Sequence, residues 1–146
     1  MLQTLPTISF SPPYSQGISL ETALNGPYPP KWRDTREVLT RTSAKIICRI
    51  NWPGYYPFHA PMNVFDETSQ RNPLSKDRLA KNIAKIVIKM LRVNERMSQN
   101  TNGKEQWVIR PGLPLSNVIL ADFRHVSSGS WQPGLFIVES DITRDA

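Results

Sequence analysis

Over residues 75–97 the apolar residues Leu79, Ile83, Ile86, Val87, Met90 and Met97 recur at helical spacing, with Ala80, Ala84, Ile88, Leu91 and Val93 beside them. Steps of three and four residues predict a long amphipathic α-helix, and Ser75 supplies the hydroxyl that suits an N-cap. At about 100° per residue the apolar positions cover roughly 220° of the circumference, so this helix is expected to pack on two sides, against a sheet and one further element. The remaining arc is basic. Arg78, Lys81, Lys85, Lys89, Arg92 and Arg96 fall within a sector of about 80°, on a line roughly 27 Å long.

A period of two takes over elsewhere. Within residues 43–50 it puts Ile46, Cys48 and Ile50 on one face and Lys45, Ile47 and Arg49 on the other, which predicts a half-buried strand. Asn51, Trp52, Pro53, Gly54, Tyr55, Tyr56, Pro57 and Phe58 then force a turn. Further strands are expected over residues 62–65, 105–110, 117–126 and 134–139. The last is almost continuously apolar, as a central strand would be. Residues 66–73 and 98–104 read as polar loops.

Prolines at 6, 12, 13, 27, 29 and 30 disfavour regular ladders at the start of the chain. Residues 1–17 are expected to be mobile, followed by one or two helical turns over residues 19–24 capped by Ser19, with residues 18–146 forming a single domain. The fold class predicted is α+β: a small, mostly antiparallel sheet with the long helix packed on one face.

Charge sharpens this picture. The 146 residues carry 18 Lys and Arg against 12 Asp and Glu, a formal charge of +6, which favours an anionic partner or solubility. Within residues 75–97, seven Lys and Arg face only Asp77 and Glu95, so the helix holds most of the excess. With Cys48 as the sole cysteine there can be no intramolecular disulfide and no cysteine zinc cluster. No charged n-region with an apolar run opens the chain, and no apolar stretch approaches about 18 residues. An intracellular protein with neither signal peptide nor membrane span is expected.

Candidate chemistry is sparse. Tyr56, Pro57, Phe58, His59, Ala60, Pro61 is superficially similar to the Tyr-Pro-Phe-x-x-Pro segment of ubiquitin-conjugating enzymes, but their downstream nucleophile is missing, since Cys48 lies upstream on an apolar strand face. His59 and His125 lack a second ligand at metal-binding spacing, and no cofactor is expected. Asp122, Arg124, His125, Ser127, Ser128 and Ser130 gather polar groups at a strand end, where a small enzyme built around His125 could form. No nucleophile elbow and no phosphate-binding glycine loop accompany them.

Three functions follow from these residues. The first is non-catalytic binding of a macromolecule by Arg78, Lys81, Lys85, Lys89, Arg92 and Arg96, with nucleic acid or another polyanion favoured and an acidic protein as the other partner. The second is a protein interaction or homo-oligomer module, using an aromatic surface of Trp52, Tyr55, Tyr56, Phe58 and Trp131. Trp52 and Trp131, each beside or near a proline, would equally serve to close strand ends. The third is the His125 enzyme.

Three blocks carry a family resemblance: Asn51, Trp52, Pro53, Gly54, Tyr55; Leu79, Ala80, Lys81, Asn82, Ile83, Ala84; and His125, Val126, Ser127, Ser128, Gly129, Ser130, Trp131, Gln132, Pro133 with Leu135. In them the chain resembles a family of small uncharacterised proteins from mushroom-forming basidiomycete fungi, over roughly residues 44–138. The resemblance implies one folded unit and a fungal source, and brings no activity with it.

Overall fold

The computed structural model describes residues 5–12, 15–40, 43–67, 71–95 and 107–138. In chain order these form strand β1 (Ile8–Ser9), strand β2 (Ile18–Ser19), helix α1 (Leu20–Asn25), strands β3 (Lys45–Ile50) and β4 (Phe58–Asn63), helix α2 (Lys76–Asn94), and strands β5 (Val118–Ser127) and β6 (Ser130–Ile137). The class is α+β, with six strands in one mixed sheet ordered β1-β5-β6-β3-β4 and β2 paired to β5. Every pairing is antiparallel except β3 with β6, where Cys48 lies opposite Trp131.

Alternation decides which strand side chains enter the core. Ile46, Cys48 and Ile50 of β3, Met62 of β4, Phe123 of β5 and Trp131 of β6 are buried together, while Lys45 and Arg49 point to the other face and are exposed. Trp131 stacks against Phe123 and against His125, at centroid distances of 5.5 and 5.0 Å, and its Nε1 donates to the Leu39 carbonyl at 3.2 Å. That single side chain joins three strands to the segment before β3.

β4 begins earlier than the expected 62–65 strand. It pairs with β3 from Phe58 through Asn63, because the turn is completed within residues 52–55 and Pro61 sits on the sheet's edge strand, where no ladder hydrogen bond is required of it. β6 likewise starts at Ser130, four residues before the expected strand, and a two-residue turn at Ser128 and Gly129 (φ 73°) joins it to β5. The strand expected over residues 105–110 is absent from its described part: Trp107 lies in a helical turn and residues 108–110 are irregular.

Part of the N-terminal stretch expected to be mobile enters the sheet. Ile8 pairs with Phe123 and Ile18 with Leu120, and between them the Phe10 amide donates to the Ala121 carbonyl at 2.9 Å. β1 and β2 therefore act as one interrupted strand along the edge of β5, opposite a register shift between Leu120 and Asp122. Phe10 is fully buried there, which explains why this edge is occupied despite the prolines around it. Gly17 fits the gap only because it has no Cβ, which would lie 2.4 Å from the Leu120 carbonyl oxygen. Gly17→Ala is expected to destabilise the fold by roughly 1–3 kcal/mol, read as a lower urea midpoint. An unchanged midpoint would contradict this close approach.

α1 starts as its sequence implies, with the Ser19 hydroxyl accepting from the Thr22 amide at 3.1 Å. α2 also starts after Ser75, yet that hydroxyl turns to the Asp77 carboxylate, and the Lys76 amide instead donates to the Thr35 carbonyl at 2.8 Å. A backbone acceptor from residues 35–37 thus does the work expected of the cap. Leu79, Ala80, Ile83, Ala84, Val87, Ile88, Met90 and Leu91 bury one broad face of α2. It packs on β3 and β4 on one side, and on α1 and the turn at Trp32–Asp34 on the other. The two-sided packing expected from the width of its apolar arc is what the fold contains.

Candidate polyanion-binding surface

The same register that buries the apolar arc of α2 turns its basic arc outward. Arg78, Lys81, Lys85, Lys89 and Arg92 are all exposed; Arg96 lies outside the described residues. Among the described residues the ion pairs are Arg36 with Asp66 and Arg124 with Asp122, so none of the five stripe cations is paired with an acid. Like charges one turn apart, as in Lys81, Lys85 and Lys89, disfavour an isolated helix by about 0.2–0.5 kcal/mol per pair. Burial of the opposite face outweighs this many times over.

Two hollows divide the stripe. Toward the start of α2, a hollow of about 320 Å³ is lined by Arg78, Lys81 and Lys85 together with Asn63, Phe65, Asp66, Glu67, Leu74 and Asn82. Asp66 and Glu67 temper the positive potential at this end. Toward its finish, a hollow of about 410 Å³ is lined by Lys85, Lys89 and Arg92 with Leu24 of α1 and Ile88 and Val93 of α2. No acid lines this second hollow. Of the two hollows, the one at the finish of α2 is therefore the more positive.

The aromatic surface does not assemble. Trp52 is 3% exposed, stands edge-on to Trp107 at 5.1 Å and donates from Nε1 to the Trp107 carbonyl at 2.6 Å. Trp131 is wholly buried. Each indole thus has its apolar area and its donor satisfied inside the fold, which removes both from any contact surface. Tyr55 is half-buried with its hydroxyl accepting from the Ile109 amide at 2.9 Å, and Phe58 is half-buried in β4. Tyr56, 89% exposed, remains alone, and isolated exposed apolar residues are ordinary on protein surfaces.

Nor do the polar residues of β5 converge. Alternation sends Asp122 and Arg124 to one face and Phe123 and His125 to the other. Asp122 is bound by the Arg124 guanidinium at 3.1 Å, while His125 Nδ1 accepts from the Leu5 amide at 2.8 Å and its ring stacks on Trp131. His125 is thereby held as a packing residue, with one nitrogen already committed. His59 is exposed on β4, and no cluster of three metal-ligating side chains occurs among the described residues.

Cys48 is fully buried, and burial pushes its thiol up to about 12. It is neutral throughout the physiological range and carries no nucleophilic chemistry. Thiol reagents are expected to label it only on unfolding; rapid labelling of the folded protein would contradict the burial. An unfolded thiol ionises near about 8.5. The buried one therefore contributes stability that is complete below that pH and is lost as pH rises toward the folded value.

One surface escaped the sequence reading. The face of the sheet turned away from α2 exposes Lys45, Arg49 and His59 on β3 and β4 and Arg124 on β5. Arg124 is spent on Asp122, so this face carries two unpaired strand cations against five on the helix. The alternation that marks residues 43–50 as a strand contains this signal in its polar positions. No helix among the described residues is long and apolar enough to cross a membrane. Compared with known proteins, the chain matches no family model, no curated protein and no solved structure.

Proposed function

We propose that this protein is a non-catalytic binding domain that takes an anionic macromolecule on the exposed basic face of α2. The observation that carries the reading is the run of Lys85, Lys89 and Arg92, exposed, without an acidic partner, and held on a helix whose opposite face is in the core. Cations fixed to a packed helix lose little backbone freedom on binding, so most of their attraction is available to the partner. Arg78 and Lys81 extend the contact toward the start of α2, at lower potential beside Asp66 and Glu67.

The charge-driven component is tested by salt. Affinity for a single-stranded oligonucleotide, heparin and polyglutamate is to be measured from low to physiological ionic strength. On nucleic acid, log affinity is expected to fall with log salt at a slope of roughly −2 to −3, about −0.7 for each phosphate neutralised on a single strand. A flat dependence on salt for all three polyanions would overturn the proposal.

A further inference from the structure

We infer that the hollow over the last turns of α2 receives an acidic amphipathic segment of a protein partner, which sets apolar side chains against Leu24, Ile88 and Val93 and carboxylates against Lys85, Lys89 and Arg92. This rests on the reading of the basic helix face as the contact for an anionic partner, and names that partner's class. The hollow is about 410 Å³ and is shared between three cations and three aliphatic side chains, with no acid in its lining. Val93 is 51% exposed, an outlier on a helix whose other large aliphatic side chains are buried or half-buried. On the helical projection Ile88 and Val93 lie about 80° and 60° to either side of Arg78, so the cations run between two apolar borders.

That combination discriminates among anions. A phosphate backbone matches the cations but presents nothing apolar to the half-exposed Val93 or the partly buried Leu24, whose remaining surface would gain nothing from it. A bilayer surface is entered by protruding apolar side chains, whereas these line a depression between two helices. A helical segment with apolar residues at i, i+3, i+4 and i+7 and carboxylates alongside supplies both complements at once. The neighbouring hollow sets Glu67 beside its cations, with Asp66 already paired to Arg36, and so attracts such a segment less than the end of α2 does.

The experiment compares probes of equal charge on the full chain. A synthetic peptide with Leu at i, i+3, i+4 and i+7 and Glu elsewhere is set against the same peptide with every Leu replaced by Ser, a single-stranded oligonucleotide, and phosphatidylserine vesicles. The Leu peptide is expected to bind about tenfold or more tightly than the Ser peptide. Val93→Asp should erase that difference with the melting curve unchanged, as the side chain is half-exposed; the peptide comparison stands even if that variant is unstable. Equal binding of the two peptides, or stronger binding to oligonucleotide or vesicles, would overturn this inference and leave the polyanion reading standing. Binding of none of the probes would overturn both.

Discussion

Changing Lys85, Lys89 and Arg92 together to Glu is expected to weaken binding to any polyanion by about a hundredfold or more, at physiological salt, with the fold intact. Each reversal removes one attraction and introduces one repulsion of similar size, and the three positions share a single hollow. Exposed substitutions away from special features usually change stability by only about 0.5 kcal/mol each, so cooperative melting should persist. The triple change also takes the formal net charge from +6 to zero, which would weaken any long-range attraction. Lys45→Glu with Arg49→Glu on the opposite sheet face is the control: it lowers net charge and should leave binding within about threefold of wild type at physiological salt, where exposed charges more than a Debye length away are screened. If the sheet-face pair costs as much as the helix triple, the effect is one of net charge and the helix surface has no special role.

Trp131→Ala is expected to have the largest effect on stability, about 3–5 kcal/mol. That is a large part of the roughly 5–15 kcal/mol that holds a typical domain together. The substitution empties a site against Phe123 and His125 and strips the Leu39 carbonyl of the indole donor. Trp131→Phe, which keeps one ring in contact but loses the donor and the rest of the indole, should cost less, about 1–3 kcal/mol. Urea denaturation of the two variants measures both losses. A loss below about 1 kcal/mol for the alanine variant would mean that this side chain is not the centre of the core.

How legible these features are in the sequence follows from how local their causes are. The start and the register of α2 are readable, because its apolar and basic arcs are set by one periodicity and agree with each other. β3 and α1 are readable for the same reason, through alternation at Ile46, Cys48 and Ile50 and through the Ser19 cap. The early starts of β4 and β6 are not, since Pro61 and Pro133 look like strand breakers until the fold shows that neither position has to donate to the ladder. The edge role of Ile8 and Ile18 is invisible too, because it depends on a shift in β5 more than a hundred residues away along the chain. The parallel contact of β3 with β6 is a similar long-range fact.

The site divides along the same line. The basic stripe is legible because its described members, Arg78, Lys81, Lys85, Lys89 and Arg92, lie on one helix. The aromatic surface is misread because the pattern of Trp52 and Trp131 cannot distinguish an exposed indole from one that has found a carbonyl inside the fold, as both have. Of the residues in the three sequence blocks singled out above, Trp52, Leu79, Ala80, Ile83, Ala84 and Trp131 are buried, while Asn51, Lys81, Val126 and Ser128 are exposed. Leu24 joins the α2 hollow only through the contact of α1 with α2, so the α1 wall of that hollow has no counterpart in the linear pattern of α2.

The central claim is that the last turns of α2 are the contact for an anionic partner, and mapping the amide resonances tests it most directly. On titrating a polyanion into the isotopically labelled protein at physiological salt, shifts are expected to concentrate at Lys85, Ile88, Lys89, Arg92 and Val93, with Leu24 of α1 moving alongside them. Shifts centred on Lys45, Arg49 and Arg124 of the opposite sheet face, with α2 unchanged, would contradict the account.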